Sequence, residues 1–171
     1  ISDLKLVEYI ASKKKPIIIS TGMATNKEID KAINIIKKYH NKIIILHCVS
    51  NYPTKLKDTN LNKVRLLKKK YSKFLIGISD HTTDIVSSIA SIPLNVAVIE
   101  KHFKLDNKKT TDSKFSINPK QLKKLKESII DLHKSLNQKK NDYIDNKNIK
   151  LRRSIFASTS IKKGYKLNKN N

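Results

Sequence analysis

The stretch Ile43-Ile44-Ile45-Leu46-His47-Cys48-Val49-Ser50-Asn51-Tyr52-Pro53-Thr54 decides how the chain is read. Its first four residues form a continuous apolar run, too short for an ordinary helix and without the alternation of a strand wet on one face. Such a run fits a strand buried on both sides, as in parallel sheets covered by helices. Polar residues gather where the run ends. The layout recurs three times: Ile17-Ile18-Ile19 leads into Ser20-Thr21-Gly22-Met23, Phe74-Leu75-Ile76-Gly77-Ile78 into Ser79-Asp80-His81-Thr82, and Val96-Ala97-Val98-Ile99 into Glu100-Lys101-His102-Phe103.

Helical spacing fills the gaps. Helices are predicted over about residues 4–11, from a capping box at Thr25 and Glu28 to about 39, over 61–71 and over 84–92. A long one follows over 119–136, with apolar positions at Leu122, Leu125, Ile129, Ile130 and Leu132. Strand, helix, strand in repetition is the mark of parallel βα units, and four are visible. An open doubly wound sheet concentrates its ligands at one switch point, whereas a barrel uses every strand end. Polar groups at all four ends favour the barrel. A full TIM (β/α)8 barrel takes about 250 residues, so residues 1–137 read as its second half. Residues 138–150 are polar and rich in Asn and Lys, a linker. In 151–171, Ser154-Ile155-Phe156-Ala157 predicts a strand and Lys163-Gly164 a turn, the opening of a small β-rich domain. The chain reads as cut at both ends.

Composition bounds the function. At 171 residues and 38% hydrophobic content, the chain has apolar material for a core. No stretch approaches the ~20 apolar residues of a membrane span, and Ile1 to Ala11 lacks the layout of a signal peptide. The single cysteine, Cys48, allows no intramolecular disulfide and fits a reducing compartment, so a cytoplasmic protein with no membrane partner is expected. The net charge of +23 suggests a polyanion partner, since clustered cations release counterions from nucleic acid. Yet only Arg65, Arg152 and Arg153 are arginines, the residue that reads base edges, and the lysines are spread through nearly every segment. A Lys-rich solvated surface is the favoured reading, and a nucleic-acid-binding module the competing one.

Side chains two apart on a strand share a face. Ser79 therefore points with His81, Glu100 with His102, Ser20 with Gly22, and Cys48 with Ser50 and Tyr52. If the first two pairs face the barrel axis from neighbouring strands, both imidazoles converge and suit one Lewis-acidic metal with open positions. Each histidine alone also fits a plain hydrogen-bonding role. His40 at a helix end, His133 on a polar helix face and His47, out of phase with Ser50, read as structural. Cys48 reads as a small buried hydrophobe more readily than as a nucleophile.

Pro16 to Met23, Leu46 to Thr54, Ser79 to Thr82 and Ile99 to Phe103 resemble, in order, the strand-end motifs of the sialic acid synthase family, which includes N-acetylneuraminate, legionaminate and pseudaminate synthases. Arg152 to Phe156 with Ile161 to Gly164 is similar to the opening of that family's C-terminal SAF (antifreeze-like) domain. The resemblance implies an enzyme condensing phosphoenolpyruvate with an N-acylated amino sugar to a nine-carbon 2-keto acid, with release of phosphate. It implies a Mn²⁺ or Mg²⁺ ion on His81 and His102, substrate contacts from Ser20, Ser50, Tyr52 and Ser79, an acidic group at Glu100, and a sugar-binding carboxylate at Asp112. It further implies a domain-swapped homodimer for the full-length protein. An octulosonate-synthase-type condensation is the alternative enzyme reading, but lacks the SAF-like tail. Thr110-Thr111 stand where the family has Gly-Pro, and Asp84 and Asn95 where it has glycines; Asn suits a left-handed backbone better than Asp. The family's first four strands, with a lysine that grips phosphoenolpyruvate, have no counterpart here, nor does the SAF arginine that reaches the partner's site.

Overall fold

The computed structural model describes residues 1–105, 109–136 and 148–168. The chain divides into two units, Ile1–Gln138 and Lys139–Asn171. The first unit is a parallel α/β half-barrel. Four strands, β1 (Ile17–Ser20), β2 (Ile43–Cys48), β3 (Leu75–Asp80) and β4 (Ile99–Lys101), lie side by side in sequence order, every pairing parallel. Between and around them run α1 (Leu4–Ser12), α2 (Asn26–Lys37), α3 (Asn62–Lys70), α4 (Val86–Ser91) and α5 (Pro119–Leu136).

Local chemistry sets the helix starts. Thr25 accepts from the Glu28 amide at 3.3 Å while Glu28 Oε2 accepts from the Thr25 amide at 2.7 Å, the reciprocal capping box expected there. The Thr25 bonds hold the Glu28 carboxyl below its usual range, the backbone one most strongly. Asn118 and Gln121 cap α5 in the same way, with Pro119 at the first helical position, where no amide is needed. Asn95 closes the turn after α4 at φ 55°, the left-handed conformation its side chain tolerates. Asp84 is not among the residues of positive φ; its Oδ1 accepts from the Ile85 amide at 2.7 Å.

The sheet has two unlike faces. Ile17, Ile19, Ile43, Ile45, Ile76 and Ile78 pack under the helices with Ile29, Ile33, Ile36, Val64 and Leu67 as one core. On the opposite face Ile18 and Leu75 are 53% and 57% exposed, and β1 and β4 end the sheet with no further strand beside them among the described residues. Gly77 makes the sheet close: a Cβ there would stand 2.5 Å from the Val98 carbonyl oxygen and 2.6 Å from Leu46 Cδ2.

Several expectations change. The third strand runs on through Ser79 and Asp80, and the fourth is Ile99–Lys101 instead of Val96 to Ile99, because pairing with β3 continues through Glu100 and Lys101. Ala97 and Val98 still bond to Ile76 and Ile78 just before it. The helix expected over 84–92 shortens to Val86–Ser91 and gives way to a 3-10 turn containing Pro93. Of the five apolar positions on α5, Leu125 is buried against Ile85 and Ile117, whereas Leu122 and Ile130 remain over 40% exposed at the flank of β4. In the second unit no strand forms at Ser154 to Ala157 among the described residues. Ile155 is fully exposed and Phe156 nearly so, with no neighbouring strand to pair. The linker expected over 138–150 lies, up to residue 147, outside the described residues.

Two outcomes test this packing. Gly77→Ala should cost about 1–3 kcal/mol through overpacking against backbone, read as a lower urea midpoint at unchanged slope. His47, buried with Nε2 donating to the Thr59 carbonyl at 2.8 Å, has its pKa lowered, first by burial, against the bond to Thr59. A folded pKa below the unfolded one means the unfolded chain takes up the proton first as pH falls. Stability is then present above about pH 6.5 and declines below it. Thermal melts from pH 7.5 to 5 should show that decline, and a His47→Gln chain should show less of it.

Candidate active site

The open face of the sheet carries the polar groups, and strand register aligns them. Cys48 pairs with Ser79 and Ser79 with Glu100, so the three form one row across β2, β3 and β4. The next residues on this face continue the row outward. Ser20, Ser50, Tyr52, Ser79, His81, Glu100 and His102 all line a single cleft of about 350 Å³ at the carboxyl ends of the strands. Met23, Ala24, Glu28, Ile1 and Ser2 close its other side. Gly22 leaves Ser50 its space, since a Cβ there would fall 2.1 Å from Ser50 Oγ.

The two imidazoles sit face by edge, ring centres 5.2 Å apart. His81 Nδ1 lies 2.8 Å from the Val49 carbonyl oxygen, which only accepts, so the proton is on Nδ1 and Nε2 keeps its lone pair. Ser79 Oγ donates to Glu100 Oε1 at 2.6 Å, so the longer 3.4 Å approach of Ser79 Oγ to His81 Nε2 leaves that lone pair free. His102 Nδ1 stands 3.4 Å from Asp112 Oδ2, which turns its Nε2 away from the carboxylate. Two imidazoles whose Nδ1 atoms are held by Val49 and Asp112, leaving Nε2 to face the cleft, are the kind of donor pair an open metal site uses. Among the described residues no group of three or more His, Cys, Asp or Glu could hold a metal ion. Any cation here would take further ligands from beyond this pair of imidazoles.

Asp112 arrives by a route strand parity does not predict. Residues 102–104 and 117 pair, with Ile117 N–H donating to the His102 carbonyl and Lys104 N–H to the Ile117 carbonyl, both at 2.9 Å. That pairing brings the 3-10 turn Thr111–Lys114 beside His102. Thr110, which with Thr111 stands where the family has Gly-Pro, caps this turn through Ser113. The same pairing delivers Phe115, a residue that no motif or strand parity singles out. Its ring lies 4.8 Å from His102 and 5.2 Å from Tyr52, and Tyr52 in turn lies 4.2 Å from His81. The Tyr52 hydroxyl is pushed above its usual pKa by burial and by the nearby Cys48, Asp112 and Glu100, and remains a donor. Cys48 is buried, with Sγ 4.0 Å from His81 Nδ1 and 3.9 Å from Ser50 Oγ. His47 lies on the helix side of the sheet, away from the cleft.

The profile of the NeuB family matches residues 1–141. The chain belongs to the NeuB family. It is 37% identical to a pseudaminic acid synthase of Campylobacter jejuni, over 99% of this chain and 50% of that protein. An N,N'-diacetyllegionaminic acid synthase of the same species is 40% identical over 96% of this chain and 51% of its own length. Among solved structures, the N-acetylneuraminic acid (sialic acid) synthetase of Leptospira borgpetersenii, crystallised with citrate, matches 87% of this chain and 52% of that one, with a TM-score of 0.78 and 33% identity. The chain spans about half the length of the curated relatives it matches. No helix among the described residues is long and apolar enough to cross a membrane.

This NeuB geometry has a direct test. Gly22→Ala should displace Ser50 while touching mainly side-chain atoms of Ser50 and Cys48, so the fold should survive with a narrowed cleft. Comparing the Ser50 and Tyr52 amide resonances with the parent's checks this; unmoved Ser50 signals would contradict the contact.

Proposed function

We propose that the protein is the C-terminal half of the barrel of a sialic-acid-type synthase, with half of its active site. In this reading it condenses phosphoenolpyruvate with an N-acylated amino sugar, forms a nine-carbon 2-keto acid and releases phosphate, a cytoplasmic reaction. The supporting observation is the single cleft in which Ser20, Ser50, Tyr52, Ser79, Glu100 and both Nε2-free imidazoles meet. The Ser20 and Ser50 hydroxyls and the Tyr52 phenol donate to the anionic substrate. Glu100, oriented by Ser79, accepts the proton of the water that adds to the enol-derived carbon. Asp112 orients His102 and, half exposed, keeps acceptor capacity for sugar hydroxyls. Phe115 packs edge-on against His102, and Tyr52 lies between Phe115 and the imidazoles. His81 and His102 would hold a Mn²⁺ or Mg²⁺ ion, whose chemistry is Lewis-acid polarisation of the sugar aldehyde. Residues 151–171 would open an SAF domain, and a complete protein would work as a domain-swapped homodimer.

The test uses the enzyme completed with four preceding βα units. Phosphate release from phosphoenolpyruvate should require an N-acylated hexosamine; equal release with arabinose 5-phosphate would favour the octulosonate-type reaction. His81→Ala and His102→Ala should each remove metal-dependent turnover, and the double change should be scarcely worse, since the two act as a unit. Asp112→Asn should weaken sugar use by ~1–3 kcal/mol, seen in the sugar's kcat/KM; unchanged sugar kinetics would take Asp112 out of the site.

A further inference from the structure

We infer that Asp80 and Lys101 are a positioning pair that fixes His81 and His102 from the back of the sheet. The inference rests on the site reading above and adds two residues that touch no substrate. Asp80 and Lys101 are register partners on β3 and β4. In the chain, each stands between two cleft residues: Asp80 between Ser79 and His81, Lys101 between Glu100 and His102. Their own side chains pass to the helix side, where they are 1% and 4% exposed and meet at 3.1 Å.

The contacts converge on the backbone of His81. Lys101 Nζ donates to the Thr82 carbonyl at 2.7 Å and more distantly to the Asp80 carbonyl at 3.3 Å, the residues on either side of His81. Asp80 Oδ1 accepts from the Thr82 amide at 2.9 Å, and Oδ2 from Ser88 Oγ of α4 at 2.5 Å. The peptide that aims the His81 ring at the Val49 carbonyl is thereby held by β4 and α4 together. The same ammonium ties the residue before His102 to that peptide. A buried ion pair is a poor device for stability alone, since apolar replacement of both partners is often neutral or better. Its use here, at the one register position between two cleft residues on each strand, is explained by orientation.

The experiment uses the 171-residue chain and separates orientation from folding. Lys101→Met strands a buried carboxylate and can unfold the chain, so the Asp80→Asn/Lys101→Met double variant, which leaves no charge unpaired, is made beside it. In metal-free protein at a pH where imidazoles are neutral, ¹⁵N shifts report the His81 tautomer. The double variant should fold yet lose the single Nδ1–H form at His81, with His40 and His133 unchanged. Its Mn²⁺ affinity should fall roughly 10–100-fold, the usual cost of losing an outer-shell support. Lys101→Arg should keep both properties. A folded double variant with the parent's His81 tautomer and the parent's Mn²⁺ affinity would overturn the inference. A parent chain that binds no Mn²⁺ would count against the metal reading, while the tautomer comparison would still decide the role of the pair.

Discussion

A strand gives alternate side chains to opposite faces, and that constraint organises the whole first unit. The isoleucines at 17 and 19 on β1, 43 and 45 on β2, and 76 and 78 on β3 go to the helices, so Ser20, Cys48 and Ser79 are left for the open face. Parallel in-register pairing then stacks Cys48, Ser79 and Glu100 in a row, and the following residues, His81 and His102, meet. The burial that stabilises the sheet and the grouping that makes the cleft are one arrangement read from two sides. A one-residue slip of β4 would bury Glu100 among isoleucines and send Lys101 into the cleft.

The helix side carries its own polar load at the same level. Asp80 and Lys101 are buried where the isoleucine rows end, and His47 sits one strand away with Nδ1 buried and unpartnered. Burial presses the Lys101 ammonium below its usual pKa range, with the Asp80 carboxylate opposing that shift. Polar groups beneath a covering layer cost free energy unless each bond is made. Asp80 makes its bonds to Thr82 and Ser88 in the segment that follows His81 and to Lys101 on β4. The helix side thus braces the strand ends that carry the cleft residues, the kind of support a preorganised site needs.

Much of this was legible in the residues because its signals are local. Continuous isoleucine runs mark buried parallel strands, Thr25 with Glu28 marks a helix start, and parity alone pairs Ser79 with His81 and Glu100 with His102. What was not legible depends on distant pairing. Phe115 and the contact of Asp112 with His102 follow from the bond between Ile117 and the His102 carbonyl, which no alternation announces. The ends of β3 and β4 were missed because Ser79, Asp80, Glu100 and Lys101 are polar, yet register keeps them in the ladder. Ser154 to Ala157 has a strand's composition, but a strand exists only with a neighbour to bond.

Charge distribution separates the surface from the cleft. The chain carries +23, yet among the described residues no lysine or arginine lines the cleft; its acidic lining residues are Glu28 and Glu100. Surface lysines create a field that draws anions toward the protein, but screening limits that pull to about 8–10 Å in physiological salt. Once inside, an anion would meet hydroxyls and imidazoles and no fixed cation from these residues. Hydroxyl donors alone do not neutralise a phosphate beside a carboxylate, so in the proposed reading the compensating charge would come from a cation at the imidazoles or from groups across the open edges of β1 and β4. In that reading the charge of the cleft, like the four-stranded sheet that carries it, would be completed from outside the described residues.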